Sequence, residues 1–223
     1  MIARIALLAI LLGLVMQALV IFARLLGGGS LPGIGALADL VQSVTWALFV
    51  CIGVSIGVAI GKARKALAGL MGLVFAPAGL AVAKAAQKST LTLIDAMEQP
   101  VVVPLATVGL IRAVEYGLLA WTLTVLAERE VSRAPPYLLA GAITGIVFGG
   151  GLVALTGQTL RAADQVFALP QMVGMLVNEI GTPLGCALVI FIGQIVPQHF
   201  KTYAQRLPAN QRAPTNHRDR PSA

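Results

Sequence analysis

Six long apolar stretches organise the chain, at residues 2–25, 40–61, 66–86, 100–127, 137–157 and 171–196. At about 1.5 Å of rise per residue, each is long enough as a helix to cross a hydrocarbon core of about 30 Å. Polar and glycine-rich segments punctuate the pattern. Gly27-Gly28-Gly29-Ser30-Leu31-Pro32-Gly33 reads as a flexible turn. Lys62-Ala63-Arg64-Lys65 closes the second stretch, and residues 87–99, with Lys88, Asp95 and Glu98, read as a short surface loop. Glu128-Arg129-Glu130 and Arg133-Ala134-Pro135-Pro136 separate the fourth stretch from the fifth, and a polar connection through Arg161 and Asp164 leads to Pro170. The pattern predicts an all-α, polytopic integral membrane protein. A six-helix transmembrane domain would cover residues 1–196, and residues 197–223, rich in Arg, Pro, Asn and Gln, would form a basic, disordered tail. The first stretch exceeds the apolar run of a secretory signal, and Arg24-Leu25-Leu26 lacks small residues for cleavage, so an uncleaved anchor is expected.

Composition agrees with this pattern. Of 223 residues 57% are hydrophobic and 11% charged, where a soluble domain carries about 25% charged residues. The net charge of +7 sits in short loops and the tail, which sets membrane orientation and lacks a nucleic-acid-binding motif. Arg4, Lys62, Arg64, Lys65, Arg129, Arg133, Lys201, Arg206, Arg212, Arg218 and Arg220 fall on one side; Arg24, Lys84, Lys88 and Arg161 fall on the other. Eleven cations against four place both termini in the cytoplasm, and a bacterial inner (plasma) membrane is the expected location. The partners expected are the lipid bilayer and either further copies of this chain or the subunits of a membrane complex. Cys51 and Cys186 fall within predicted spans as small buried hydrophobes, and Trp46 is expected as an interface anchor. His199 and His217 lie at or beyond the end of the last span, so no metal or cofactor site is predicted. No serine-hydrolase elbow, His-Glu-x-x-His or phosphate-binding glycine loop is present, and no enzymatic activity is expected.

Glycines and prolines add an internal correspondence. Gly53, Gly57 and Gly61 in the second stretch are spaced like Gly141, Gly145 and Gly149 in the fifth. Four-residue spacing puts such glycines on one helix face, where another backbone can approach closely. Pro77 with Gly79 in the third stretch matches Pro183 with Gly185 in the sixth, and these residues, with Gly181, are expected helix breaks. Matching features in matching order raise a 3+3 inverted repeat, an arrangement that in transporters places a site at interrupted helices. Composition alone also generates such spacing in a chain with 24 glycines.

The candidate chemistry lies in a few polar residues within apolar stretches. Arg112 and Glu115, three residues apart, share a helix face, and Glu179 lies in the sixth stretch beside Asn178 and Thr182. Intramembrane ionisable groups are expensive and mark sites or clamps. Depth counting places Arg112 roughly 15–18 Å and Glu179 about 12 Å from the outer edge, close enough for an Arg112–Glu179 pair or an Arg112–Glu115–Glu179 triad. In a triad two carboxylates share one guanidinium, which makes one of them a candidate proton carrier. A structural clamp, with Arg112 on Glu115 and Glu179 on freed backbone amides, is the competing reading. Asn178, Thr182 and Tyr116 are supporting polar candidates. Two functions follow: a small permease whose Arg/Glu site holds a solute or a coupling proton, or a non-catalytic membrane subunit or assembly factor that docks through its glycine faces.

Overall fold

The computed structural model describes residues 2–61, 65–97 and 102–195. These residues form helices α1 (Ile2–Leu26), α2 (Ala36–Gly61), α3 (Lys65–Leu93), α4 (Leu105–Glu128), α5 (Ala134–Thr144), α6 (Gly150–Ala162) and α7 (Leu169–Ile190). A π-helical turn, Gly145–Gly149, joins α5 to α6 in one continuous span, and a second, Phe191–Ile195, extends α7. Six helical segments are long and apolar enough to cross a membrane, as expected of a multi-pass membrane protein. Leu7, Leu11, Phe22, Leu110 and Leu139 are exposed on the bundle's outer surface, where lipid would solvate them.

Helix boundaries follow local chemistry. Pro135 and Pro136 occupy the first turn of α5, and Pro170 that of α7, where a missing N–H costs no ladder bond. The end of α1 is a Schellman turn. Gly28 takes φ +84°, Gly29 N–H donates to the Arg24 carbonyl at 2.9 Å, and Gly28 N–H donates to that of Leu25 at 3.0 Å. The same turn ends α3, α4 and α6, with Asp95, Glu130 and Asp164 at positive φ in place of glycine. Acidic residues in this left-handed region give the sequence no glycine signal. Accordingly α3 does not stop at residue 86 but runs to Leu93, through much of the segment expected as a loop. The fifth span likewise extends from Ala134 to Ala162. The basic tail, Lys62, Arg64 and Glu98 lie outside the described residues.

α2 packs on α1 and α3, α4 on α3, and α7 on α1 and α5; α4 also reaches α2, α5 and α7, so it runs through the interior. The core joins Trp46, Val50, Cys51 and Val54 of α2 to Tyr116, Leu119 and Leu123 of α4, and to Cys186 and Ile190 of α7. Both cysteines are buried and reduced, as expected.

The prolines and glycines depart from expectation. α3 and α7 run unbroken through Pro77 and Pro183. Gly79, Gly181 and Gly185 are packing positions instead of breaks. A Cβ on Gly79 would lie 2.9 Å from Phe49 Cβ, one on Gly181 would lie 3.0 Å from Met16 Sδ, and Gly185 receives the Leu12 side chain. The irregular backbone lies at Gly145–Gly149, facing Glu179 and Ile180 across the helix pair, about one turn before Pro183. Pro183 cannot donate to the carbonyl of Glu179, four residues back, and that oxygen lies against Gly145 and Gly149.

The two glycine faces are both used inside the bundle. Gly53 and Gly57 take Phe75, Ala68 and Met71 of α3; Gly141, Gly145 and Gly149 take residues 179–187 of α7. The surroundings of Gly61 lie outside the described residues. Docking of a partner helix on these faces therefore has no free surface at the described glycines. Each glycine-bearing span packs on the next, but α2 has no counterpart of the π turn, and these contacts do not confirm an inverted repeat.

Candidate functional site

The site forms where α2, α4 and α7 meet. α4 begins at Leu105, so Arg112 lies only about 11 Å along it, while Glu179 lies about 15 Å along α7. Arg112 is 4% exposed, Glu115 0% and Glu179 5%. One guanidinium nitrogen of Arg112 donates to Glu115 Oε2 at 2.6 Å, and the other donates to Glu179 Oε2. The triad considered in the sequence is thus assembled, with i,i+3 spacing on α4 aligning one carboxylate and the α4–α7 contact supplying the other. The glycines of the fifth span hold α7 in place. A Cβ on Gly149 would lie 2.8 Å from Glu179 Cβ, and one on Gly145 would lie 2.9 Å from Ile180 Cα.

The remaining candidates divide. Asn178 donates to Glu179 Oε1 at a long 3.4 Å, the one supporting residue that reaches the triad. Thr182 donates to the Asn178 carbonyl at 2.7 Å, an ordinary turn-to-turn bond within the helix. The Tyr116 hydroxyl is fully buried with no hydrogen-bond partner among the described residues, and so is Glu115 Oε1.

Trp46 is the residue sequence reasoning misplaced. It is buried, not a membrane-interface anchor. Arg112 sits over its ring, 5.6 Å from the centroid, and Tyr116 packs edge-on at 5.5 Å. The ring quadrupole faces the cation, so the guanidinium is held by two carboxylates and an aromatic face. Its only sequence signal was a tryptophan in an apolar span on another helix from Arg112.

Above the triad lies a wide cleft. A hollow of about 1030 Å³ is lined by Gln17, Arg24, Asp39, Gln42, Lys84 and Asn178, among others. An adjoining hollow of about 570 Å³ shares Gln42, Trp46, Lys84, Thr156 and Asn178 with it and reaches Arg112 and Glu179. Gly29, Ser30, Val102 and residues 165–168 place the wider part beside three interhelical connections, at one end of the bundle. Polar side chains tie its wall together: Lys84 donates to Gln87 at 2.9 Å and to Gln42 at 3.4 Å, and Gln87 donates to Asp39 at 2.8 Å. Glu115 lines neither hollow and sits behind Arg112. The arrangement is a vestibule whose floor is a buried ion cluster, with Glu179 on the accessible side.

Among the described residues no group of three or more His, Cys, Asp or Glu side chains could hold a metal ion. Fold and site together define a helical multi-pass membrane protein with a charged intramembrane cluster. Compared with protein families, with curated proteins and with solved structures, the chain matches none.

Proposed function

We propose that this protein is a small permease, with the vestibule as its solute-entry site and the Arg112–Glu179 pair at its floor. The observation that carries the reading is a pair of adjoining hollows, mostly apolar with polar side chains set into the wall, that lead from the connections at one end of the bundle down to two buried charged side chains. Pockets of 300–1,000 Å³ or so with a few convergent polar groups are the usual form of small-molecule sites. The distribution of Lys and Arg turns the vestibule away from the cytoplasm in a bacterial inner membrane. The opposite charges of Arg112 and Glu179 at the floor suit an anionic or zwitterionic solute.

Two of the five N–H donors of Arg112 are engaged by the protein's own carboxylates, and a solute anion that took the place of Glu179 would inherit its bond to the guanidinium. Glu179 is the residue on which transport turns. Uptake of labelled amino acids and small carboxylates into proteoliposomes tests this. Glu179→Gln should insert and fold yet lose uptake by tenfold or more, whereas unchanged uptake in that variant would remove the proposal's centre. The alternative, a membrane subunit docking through its glycine faces, draws no support from glycines already packed within the chain.

A further inference from the structure

Charge and hydrogen bonding within the triad are unequal. One guanidinium faces two carboxylates, all three side chains almost wholly removed from solvent. Fully ionised, the cluster would carry one net negative charge in the membrane interior, where an uncompensated charge is the costliest group to hold. The two carboxylates also differ in their partners. Glu179 has Arg112 on Oε2 and the Asn178 amide on Oε1, and it lines the vestibule. Glu115 has Arg112 on Oε2, but its Oε1 is buried with no hydrogen-bond partner among the described residues. An ionised oxygen buried without a donor costs far more than a neutral carboxyl in the same place, because the neutral group leaves no charge uncompensated.

We infer that the triad carries one resident proton, held on Oε1 of Glu115, which brings the cluster to neutrality. The other groups about Glu115 do not supply the missing positive charge. On its own helix it has Arg112 and Tyr116, and across on α7 it has Glu179 and Cys186, whose thiol is within hydrogen-bonding reach of Cys51 on α2. Trp46 of α2 faces Arg112 and Tyr116. Lys84 and Lys88 belong to the exposed wall of the vestibule, on the far side of Arg112 from Glu115. The proton's use as a coupling ion rests on the permease reading; its presence does not. Gain or loss of this one proton changes the cluster's charge while Arg112 stays bonded to both carboxylates, which suits a coupling group.

The infrared spectrum of the purified full-length protein, in an ester-free detergent at neutral pH, tests the proton without any transport measurement. The C=O stretch of a protonated carboxylic acid is separate from the carboxylate bands and moves on exchange into heavy water. Wild type should show it, and Glu115→Gln should lose it. Glu179→Gln should lose it too, because one carboxylate then balances one guanidinium and the proton leaves. Asn178→Leu, which removes the donor on Glu179 alone and leaves the triad intact, should leave the band where it was. A wild-type spectrum without the band overturns the inference, as does a band that persists in Glu115→Gln or shifts in Asn178→Leu. Uptake that fails while the band behaves as stated would count against the permease and leave the proton standing.

Discussion

The α2–α3 interface and the interface between the fifth span and α7 are made with the same device, glycines four residues apart on one face. At the first, Gly53 meets Phe75, and a Cβ on Gly57 would lie 2.9 Å from the Ala68 carbonyl and 3.3 Å from Met71 Cβ. The nearest contacts of these two glycines are uncharged, and α2 is a single α-helix from Ala36 to Gly61. At the second, Gly141, Gly145 and Gly149 approach the backbone of Leu184, Ile180 and Glu179, and the helix carrying them opens into a π turn over Gly145–Gly149. π turns recur at functional sites because they displace a ladder bond and re-aim the residues around it. The comparison teaches that a close helix contact becomes part of a site only when it fixes a residue with chemistry. Here that residue is Glu179, whose own carbonyl is left without a ladder donor by Pro183.

Removal of the cation breaks the second region hardest. Arg112→Leu leaves the buried Glu179 carboxylate beside Glu115 with no cation, and a loss of about 3–5 kcal/mol is expected on the scale of broken buried ion pairs. Unfolding in detergent measures it, and hydrogen exchange should show the α4–α7 contact opening while amides of α2 and α3 stay protected. Uniform loss of protection would mean the two regions are not separable.

Gly149→Ala and Gly57→Ala compare the regions directly. Each new methyl meets backbone at 2.9 Å, so each should cost about 1–3 kcal/mol as overpacking. Only Gly149→Ala should also displace Glu179 and depress uptake per folded molecule. Equal functional losses would dissolve the distinction.

Trp46→Leu removes the aromatic face from Arg112 and should destabilise by about 2 kcal/mol, the upper range for a desolvated cation–π contact. Thermal unfolding of Trp46→Phe, which keeps a ring, should fall between the two. Gly181→Ala gives the smallest effect. Its methyl meets only the flexible end of Met16, and alanine's helix preference of about 1 kcal/mol offsets that contact. A midpoint close to wild type supports Gly181 as a packing position in a continuous helix; a large loss would restore it as a break.

The parts legible in the sequence were those carried by composition and period. Apolar length revealed the six spans, and the cost of charge in hydrocarbon marked Arg112, Glu115 and Glu179. Less legible were features set by a neighbour. Gly13 carries no spacing motif, yet a Cβ there would lie 2.9 Å from Val44 N at the α1–α2 crossing, where Ser43 Oγ donates to the Gly13 carbonyl at 3.0 Å. Helix ends at Asp95 and Asp164 escaped because acidic residues took a conformation usually signalled by glycine.

By itself, then, the sequence determined a helical membrane bundle and the charged residues it must bury, because hydrocarbon satisfies neither backbone polar groups nor ions and every chain must answer both demands locally. The tertiary structure alone decided that Arg112 takes both carboxylates, that Trp46 covers it, and that a vestibule ends on Glu179. Those outcomes depend on the rotation and separation of α2, α4 and α7, which side-chain volume and backbone approach set across the bundle and no single helix encodes.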